Sequence, residues 1–201
     1  MRIDPAGWPF VAGLALVAIA ALFWSPWVAA LPLALLLFTL NFFRDPERSV
    51  PADPALVLSP ACGRIIRADA SRISIFMNVF DVHVCRSPVA GRVVSVEATR
   101  GSFVSAYRDA ASEHNERVVL VIAPPAGPPV RVTLVAGLIA RRIVCRVAAG
   151  RTLAAGERIG IIRFGSRVDV DLPAGSRVSV ALRDRVVSGE TPLAETAAAS
   201  L

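Results

Sequence analysis

The sequence predicts a mainly β, barrel-sandwich-like domain preceded by an N-terminal transmembrane helical hairpin. Three observations carry this. No charged residue occurs from Pro5 to Phe43, about twice the length that one bilayer-spanning helix needs. From about Asp45 onward the chain breaks into short runs rich in β-branched residues and punctuated by Gly and Pro, with no long helical period. Finally, Ser59-Pro60-Ala61-Cys62-Gly63-Arg64-Ile65 is echoed by Ser87-Pro88-Val89-Ala90-Gly91-Arg92-Val93, each reading as a turn that enters a strand.

The uncharged stretch divides in two. Trp8 to Trp24 is one apolar run, Ser25-Pro26 a turn and Trp27 to Phe43 a second run. At ~1.5 Å per residue each reaches somewhat over 25 Å, short but adequate for the hydrocarbon core. Trp8, Trp24 and Trp27, the only tryptophans, stand at span ends, where indoles settle at headgroup level. Arg2 precedes the first span and Arg44 and Arg48 follow the second, so both ends are expected in the cytoplasm. A cleaved signal peptide would show one shorter apolar region and a small-residue cleavage site, so a retained anchor is the preferred reading. Pro32 is tolerated in a lipid-embedded helix. The expected organisation is an anchoring hairpin over residues 1–45 and a second domain over 46–201.

In that second domain Ile73 to Val79, Arg92 to Val96, Val118 to Ala123, Val130 to Val135, Ile143 to Val147, Ile159 to Phe164 and Ser176 to Leu182 read as strands. Asp109 to Asn115 reads as a polar loop, Pro124 to Pro129 as a hairpin connection and Thr191 to Leu201 as a loose tail. The paired Ser-Pro turns resemble those of lipoyl and biotinyl barrel-sandwich domains. A carrier role is excluded, because the chain contains no lysine to hold lipoate or biotin.

The same absence excludes pyridoxal-phosphate chemistry, which needs a lysine Schiff base. The formal net charge of +6 is all arginine in origin and suits attraction to anionic lipid headgroups. No basic run interleaved with aromatics points to nucleic acid. Cys62, Cys85 and Cys145 are odd in number and lack zinc-type spacing, so reduced thiols are expected and no metal site, with Cys145 packed in the core.

One segment carries specific chemistry: Gly160-Ile161-Ile162-Arg163-Phe164-Gly165-Ser166-Arg167-Val168-Asp169 delivers an apolar run into a Gly-Ser bond. A serine after glycine can attack the preceding carbonyl and shift the acyl group from nitrogen to oxygen, and Gly165 offers no Cβ to block the approach. Elimination of the ester and hydrolysis of the resulting dehydroalanine would leave an N-terminal pyruvoyl ketone. Alone, a Gly-Ser pair is as well read as a turn after a strand.

Its neighbours are more specific. In order along the chain stand Phe42-Phe43-Arg44-Asp45-Pro46-Glu47-Arg48, Ser59-Pro60-Ala61-Cys62-Gly63-Arg64, Phe76-Met77-Asn78-Val79-Phe80-Asp81-Val82-His83-Val84 and Arg86-Ser87-Pro88-Val89-Ala90-Gly91. Asn115-Glu116-Arg117, Gly137-Leu138-Ile139-Ala140-Arg141-Arg142-Ile143-Val144-Cys145 and Phe164-Gly165-Ser166-Arg167-Val168-Asp169 follow. With these blocks the chain resembles the phosphatidylserine decarboxylase proenzymes of the short, bacterial and archaeal type. The resemblance implies self-cleavage between Gly165 and Ser166, conversion of Ser166 to a covalent pyruvoyl cofactor, and decarboxylation of phosphatidylserine to phosphatidylethanolamine through a Schiff base. It further implies long and short chains that stay associated, a homo-oligomer, anionic membrane lipid as surroundings, no nucleic acid, and an inner-membrane protein whose catalytic domain is cytoplasmic.

Decarboxylation also needs a proton for the α-carbon. His83 is the leading source. Strand alternation would set Asp81 on its face, where the carboxylate could orient or charge the imidazole. On the residues alone a structural histidine is favoured, and the resemblance reverses that preference. His114, in the polar loop, reads as a solvated surface residue. Two departures bear on processing. Long-type members carry aspartate where Cys62 stands and a second histidine where Arg86 stands, the latter position being arginine in the short type. Cys85 stands where the short type usually has asparagine. Serine attack could be assisted by Asp81, Asp169, the Cys62 thiolate or water; the alternative is a processing-deficient, membrane-tethered barrel-sandwich binding module.

Overall fold

The structure is a computed structural model that describes residues 2–101, 115–137, 142–163 and 166–196. It divides into two compact units, Met1–Glu47 and Arg48–Leu201.

In the first unit, β1 (Arg2–Ile3) pairs antiparallel with β2 (Arg44–Asp45) and so ties together the ends of a helical hairpin. Its arms are α1 (Trp8–Trp24) and α2 (Pro26–Phe42). The turn is Ser25 alone: its Oγ accepts from the Trp27 amide at 3.3 Å, and Pro26, which has no amide hydrogen to lose, takes the first helical position. Phe23, Trp24 and Trp27 are each nearly nine-tenths exposed, an arrangement unfavourable in water. Pro5–Trp24 is long and apolar enough to cross a membrane, and Pro26–Phe42 is a shorter apolar helix.

The second unit is built of two similar halves. One comprises β3 (Leu56–Leu58), β4 (Gly63–Ala68), β5 (Arg72–Met77), β13 (Ser166–Asp171), β14 (Arg177–Val178), β15 (Arg185–Val186) and β16 (Pro192–Glu195). The other comprises β6 (Val84–Arg86), β7 (Gly91–Thr99), β8 (Arg117–Ala123), β9 (Val130–Val135), β10 (Ile143–Cys145), β11 (Thr152–Leu153) and β12 (Arg158–Ile162). An eight-stranded antiparallel sheet runs β11-β7-β8-β9-β13-β5-β4-β15, and two three-stranded sheets run β10-β12-β6 and β14-β16-β3. Each half thus contributes four strands to the large sheet and one small sheet, meeting between β9 and β13.

Hydrogen bonds follow the same two-fold pattern. Leu58 N donates to Pro88 O and Arg86 N to Pro60 O, both at 2.8 Å. Ser59 Oγ bonds Ala61 O as Ser87 Oγ bonds Val89 O, both at 2.7 Å. The amides of Gly189 and Gly156, both at positive φ, donate to Ser59 O and Ser87 O respectively. The Ser-Pro echo is therefore the visible part of a longer repeat that includes Arg151–Glu157 and Asp184–Glu190.

Chain order adds a constraint. The half running from β6 to β12 is inserted between β5 and β13, where the other half has only the hairpin connection between β8 and β9. The chain therefore leaves the large sheet after Met77 and returns to it at Ser166, directly opposite Met77.

Alternation divides β13 between two environments. Val168 and Val170 join Ile73, Ile75, Leu120, Ile122, Val132 and Leu134 in the core, all fully buried. On the opposite face Arg167 Nε contacts Asp169 Oδ1 at 2.6 Å, with side chains only 1% and 2% exposed, and Arg167 Nη2 donates to Ser74 Oγ at 2.9 Å. Further along, Arg72 Nε bonds Asp171 Oδ1 at 2.5 Å, which holds the Arg72 guanidinium above its ordinary pKa.

The sequence reading differs from the structure in several places. Ser166–Asp171, which lies mid-sheet, lacks the uniform β-branched signature because its outer face carries the charged residues just described. Strand β5 stops at Met77, where Asn78 starts a turn, and only Arg177–Val178 of the expected 176–182 strand pairs. Thr191 to Leu201 is not simply a tail: Pro192–Glu195 pairs with β3, and Thr196 bonds Ala55 O through its amide and hydroxyl. Cys145 is half-buried beside the core rather than within it. The Asp109 to Asn115 loop lies outside the described residues except for Asn115.

Two outcomes follow for the purified chain in an uncharged detergent. Asp169→Ala removes the carboxylate bound to the buried Arg167 guanidinium, a loss of about 3–5 kcal/mol, and its melting temperature should fall well below that of the Arg167→Met/Asp169→Leu pair, which removes both charges. Gly63→Ala drives a Cβ into the Phe76 carbonyl oxygen on the neighbouring strand, so it too should melt earlier, by about 1–3 kcal/mol in stability. Unchanged melting of either single variant in a thermal-shift assay would contradict the packing described.

Candidate active site

One row of the large sheet is formed by Arg117, Val135, Arg167, Phe76 and Arg64, on β8, β9, β13, β5 and β4. The residues one step beyond it are Glu116, Ala136, Ser166, Met77 and Gly63. Blocks that are far apart in sequence thus end at one margin of the sheet. Ser166 opens β13 directly opposite Met77 and is fully buried; its Oγ points to the Met77 thioether at 3.3 Å, a weak acceptor. Asn115, also fully buried, donates from Nδ2 to Ala136 O at 2.8 Å on the strand next to Ser166.

His83 belongs to the connection from β5 to β6. Its backbone carbonyl accepts from the Ile162 amide at 3.3 Å, and Ile161 pairs with Val84. The connection carrying His83 is therefore bonded to the end of β12 at one end and, through Met77 opposite Ser166, to the start of β13 at the other. Gly165 itself lies outside the described residues, as do Phe164 and His114.

The imidazole is oriented by backbone. His83 is fully buried and its Nδ1 lies 2.9 Å from the carbonyl of Asp81. Since a carbonyl can only accept, Nδ1 carries the hydrogen and the lone pair of the neutral ring is at Nε2, which is buried as well. The Asp81 carboxylate is used differently from the sequence expectation: Oδ2 accepts from the Asn78 amide at 2.9 Å and Asn78 Oδ1 accepts from the Phe80 amide at 2.8 Å. Residues 78–83 form a tight turn rather than a strand, so alternation does not apply to Asp81 and His83. Asp81 shapes the turn from which His83 projects.

Cysteines surround this region without joining it in a ligand set; among the described residues no group of His, Cys, Asp and Glu is arranged to hold a metal ion. Cys85 is fully buried, its Sγ lies 3.6 Å from His83 O, and burial pushes its thiol pKa up, so it remains protonated. Cys62 Sγ accepts from Arg48 Nη2 and from the Ser188 amide, both at 3.3 Å. A cation and an amide thus converge on position 62, an environment that also suits a carboxylate. It immediately precedes β4, which lies beyond β5 from β13, so it is roughly two strand spacings or about 10 Å from Ser166. Asp169 is committed to Arg167. Sequence reasoning did not find Met77, Ser74 or Arg167 as neighbours of the site, because only strand register reveals them.

Comparison with known proteins gives the family. The family model for phosphatidylserine decarboxylase matches residues 35–194. A phosphatidylserine decarboxylase proenzyme of Burkholderia ambifaria is 48% identical over 206 residues, covering 94% of this chain and 94% of its own length. That of Nitrosomonas europaea is 48% identical over 200 residues, covering 94% and 93%, and that of Burkholderia multivorans is 48% identical over 206 residues. The chain belongs to the phosphatidylserine decarboxylase family.

Proposed function

We propose that this chain is a membrane-anchored phosphatidylserine decarboxylase that matures by cutting itself between Gly165 and Ser166 and bears a pyruvoyl group made from Ser166. The observation that carries the reading is that Ser166, buried at the start of β13, lies opposite Met77, from which the chain runs directly to a buried, backbone-oriented His83 whose carbonyl bonds the Ile162 amide.

In maturation, the Ser166 hydroxyl adds to the carbonyl carbon of Gly165, the peptide C–N bond breaks, and an ester at Ser166 replaces the amide. Loss of the Ser166 α-proton expels the Gly165 carboxylate, and water then releases the amine as ammonia. Ser166 fits this conversion. Among the described residues its Oγ makes only a hydroxyl-to-thioether contact, so little of that bonding is lost when the hydroxyl disappears, and its Cβ becomes a methyl group in a buried site beside Met77. The ketone supplies a group that condenses with the substrate amine and accepts the electron pair released with carbon dioxide. His83, with Nδ1–H held by Asp81 O, presents Nε2 to take a proton and return it to the substrate α-carbon. Asp81 keeps that orientation through the turn.

The fold also suits retention of both fragments. The short chain would supply β13 to β16, and these pair with β9, β5, β4 and β3 of the long chain. The apolar helices suit a bilayer anchor, and the flanking Arg2, Arg44 and Arg48 suit an inner-membrane position with both ends cytoplasmic. A homo-oligomer is part of the same reading, on family grounds.

Variants separate the two chemical stages. Ser166→Ala, lacking a hydroxyl to accept the acyl group, should remain one chain on denaturing gels and inactive. His83→Ala should lose phosphatidylethanolamine formation by about 10²- to 10⁴-fold, as expected for removal of a general acid. If His83 acts only after decarboxylation the variant is still cleaved; if it also assists serine attack, uncleaved chain accumulates. Normal cleavage with undiminished product from His83→Ala would remove His83 from the mechanism, and efficient cleavage of Ser166→Ala at the same bond would overturn the assignment of Ser166.

A further inference from the structure

Strand β5 presents three residues to the core, and β13 meets each with one of its own. Ile73 pairs with Val170, Ile75 with Val168 and Met77 with Ser166, all of them fully buried. Two aliphatic pairs are thus followed by a thioether facing a hydroxyl: β5 changes from isoleucine to methionine where β13 changes from valine to serine. Ser166 Oγ lies 3.3 Å from Met77 Sδ, its one hydrogen-bond partner among the described residues. A third isoleucine at position 77 would leave this buried hydroxyl without that acceptor, at a cost in stability. The thioether supplies a weak acceptor on an otherwise apolar, unbranched side chain. It also suits position 166 after conversion, when the same space holds a methyl group that a buried carboxamide or carboxylate could not satisfy.

We propose that Met77 is a positioning residue for self-cleavage, its sulfur accepting from Ser166 Oγ and so fixing the hydroxyl rotor of the nucleophile. This role presupposes the maturation proposed above. Donation toward sulfur turns both oxygen lone pairs away from Met77, so the oxygen stays nucleophilic while its direction is set. A thioether is far too weak a base to take the proton. In the acyl shift Oγ bonds to the Gly165 carbonyl carbon, the peptide C–N bond breaks, and the hydroxyl proton ends on the released Ser166 nitrogen. The sulfur neither keeps nor relays that proton. Met77 therefore acts on orientation, the factor to which attack within a chain is most sensitive.

The chain contains two methionines, Met1 and Met77, so replacing methionine throughout changes position 77 by a single atom. The full-length chain is made by cell-free translation in an uncharged detergent with methionine, selenomethionine or norleucine. Cleavage between Gly165 and Ser166 is then followed on denaturing gels after translation is stopped. Norleucine sets a methylene where the sulfur stands and removes the acceptor; selenomethionine keeps one. Cleavage should slow by about 3- to 10-fold with norleucine, the loss of one modest hydrogen bond, and by less than about twofold with selenomethionine. Because norleucine is at least as apolar as methionine, the melting temperature should not fall with it. Equal rates for the methionine and norleucine proteins would overturn the role of Met77. So would equal slowing by both replacements, or slowing matched by a lower melting temperature, since packing alone would then account for the residue. Each of these results leaves the decarboxylase reading intact, whereas a methionine protein that is never cleaved would overturn that reading and this role together.

Discussion

The site depends on the antiparallel pairing of β13 with β5, which begins with Ser166 opposite Met77. That pairing exists because one half of the domain is inserted into the other at the point where a simple hairpin would suffice. Insertion forces the chain to leave the large sheet after Met77 and return to it at Ser166. The Ile162 amide bonded to His83 O joins the end of β12 to the connection that follows Met77, on the side of the small sheet. The proposed cleavage between Gly165 and Ser166 would leave both sheets closed, because β12 and β13 are held by other partners.

Electrostatics reinforces this placement. Strand β13 lies between β9 and β5, so its outer face could have been apolar; it carries Arg167 and Asp169 instead, nearly inaccessible and closed by Ser74. A buried ion pair adds little net stability compared with an apolar pair, yet it strongly penalises any register in which its members separate. A slip of one residue would bring both charges into the valine-lined core and move Ser166 away from Met77. The ion pair therefore acts on the site through register rather than by contact with the reacting atoms. Similarly, the Asp81 carboxylate contributes by closing the turn at Asn78, and the peptide carbonyl of the same residue sets the imidazole tautomer.

Much of this was legible in the sequence. The helical hairpin was, because absence of charge and tryptophan placement are strong local signals. So was the β class, from β-branched runs between Gly and Pro. The Ser59 and Ser87 echo was visible since identical turn chemistry recurs at both positions. Its continuation at Arg151–Glu157 and Asp184–Glu190 was masked by divergent apolar residues between the shared Gly-Glu pairs. Strand β13 was hidden by its charged outer face, and the strand alternation assumed for Asp81 and His83 is replaced by a turn.

The central claim is that Ser166 is both the nucleophile that opens the chain and the residue that becomes the ketone. Intact-mass spectrometry of the purified wild-type protein tests it directly. The account predicts two polypeptides, a long one ending at Gly165 and a short one whose mass is that of the peptide from Ser166 to Leu201 less one molecule of ammonia. A single unbroken chain, or a short fragment retaining an unmodified N-terminal serine, would contradict it.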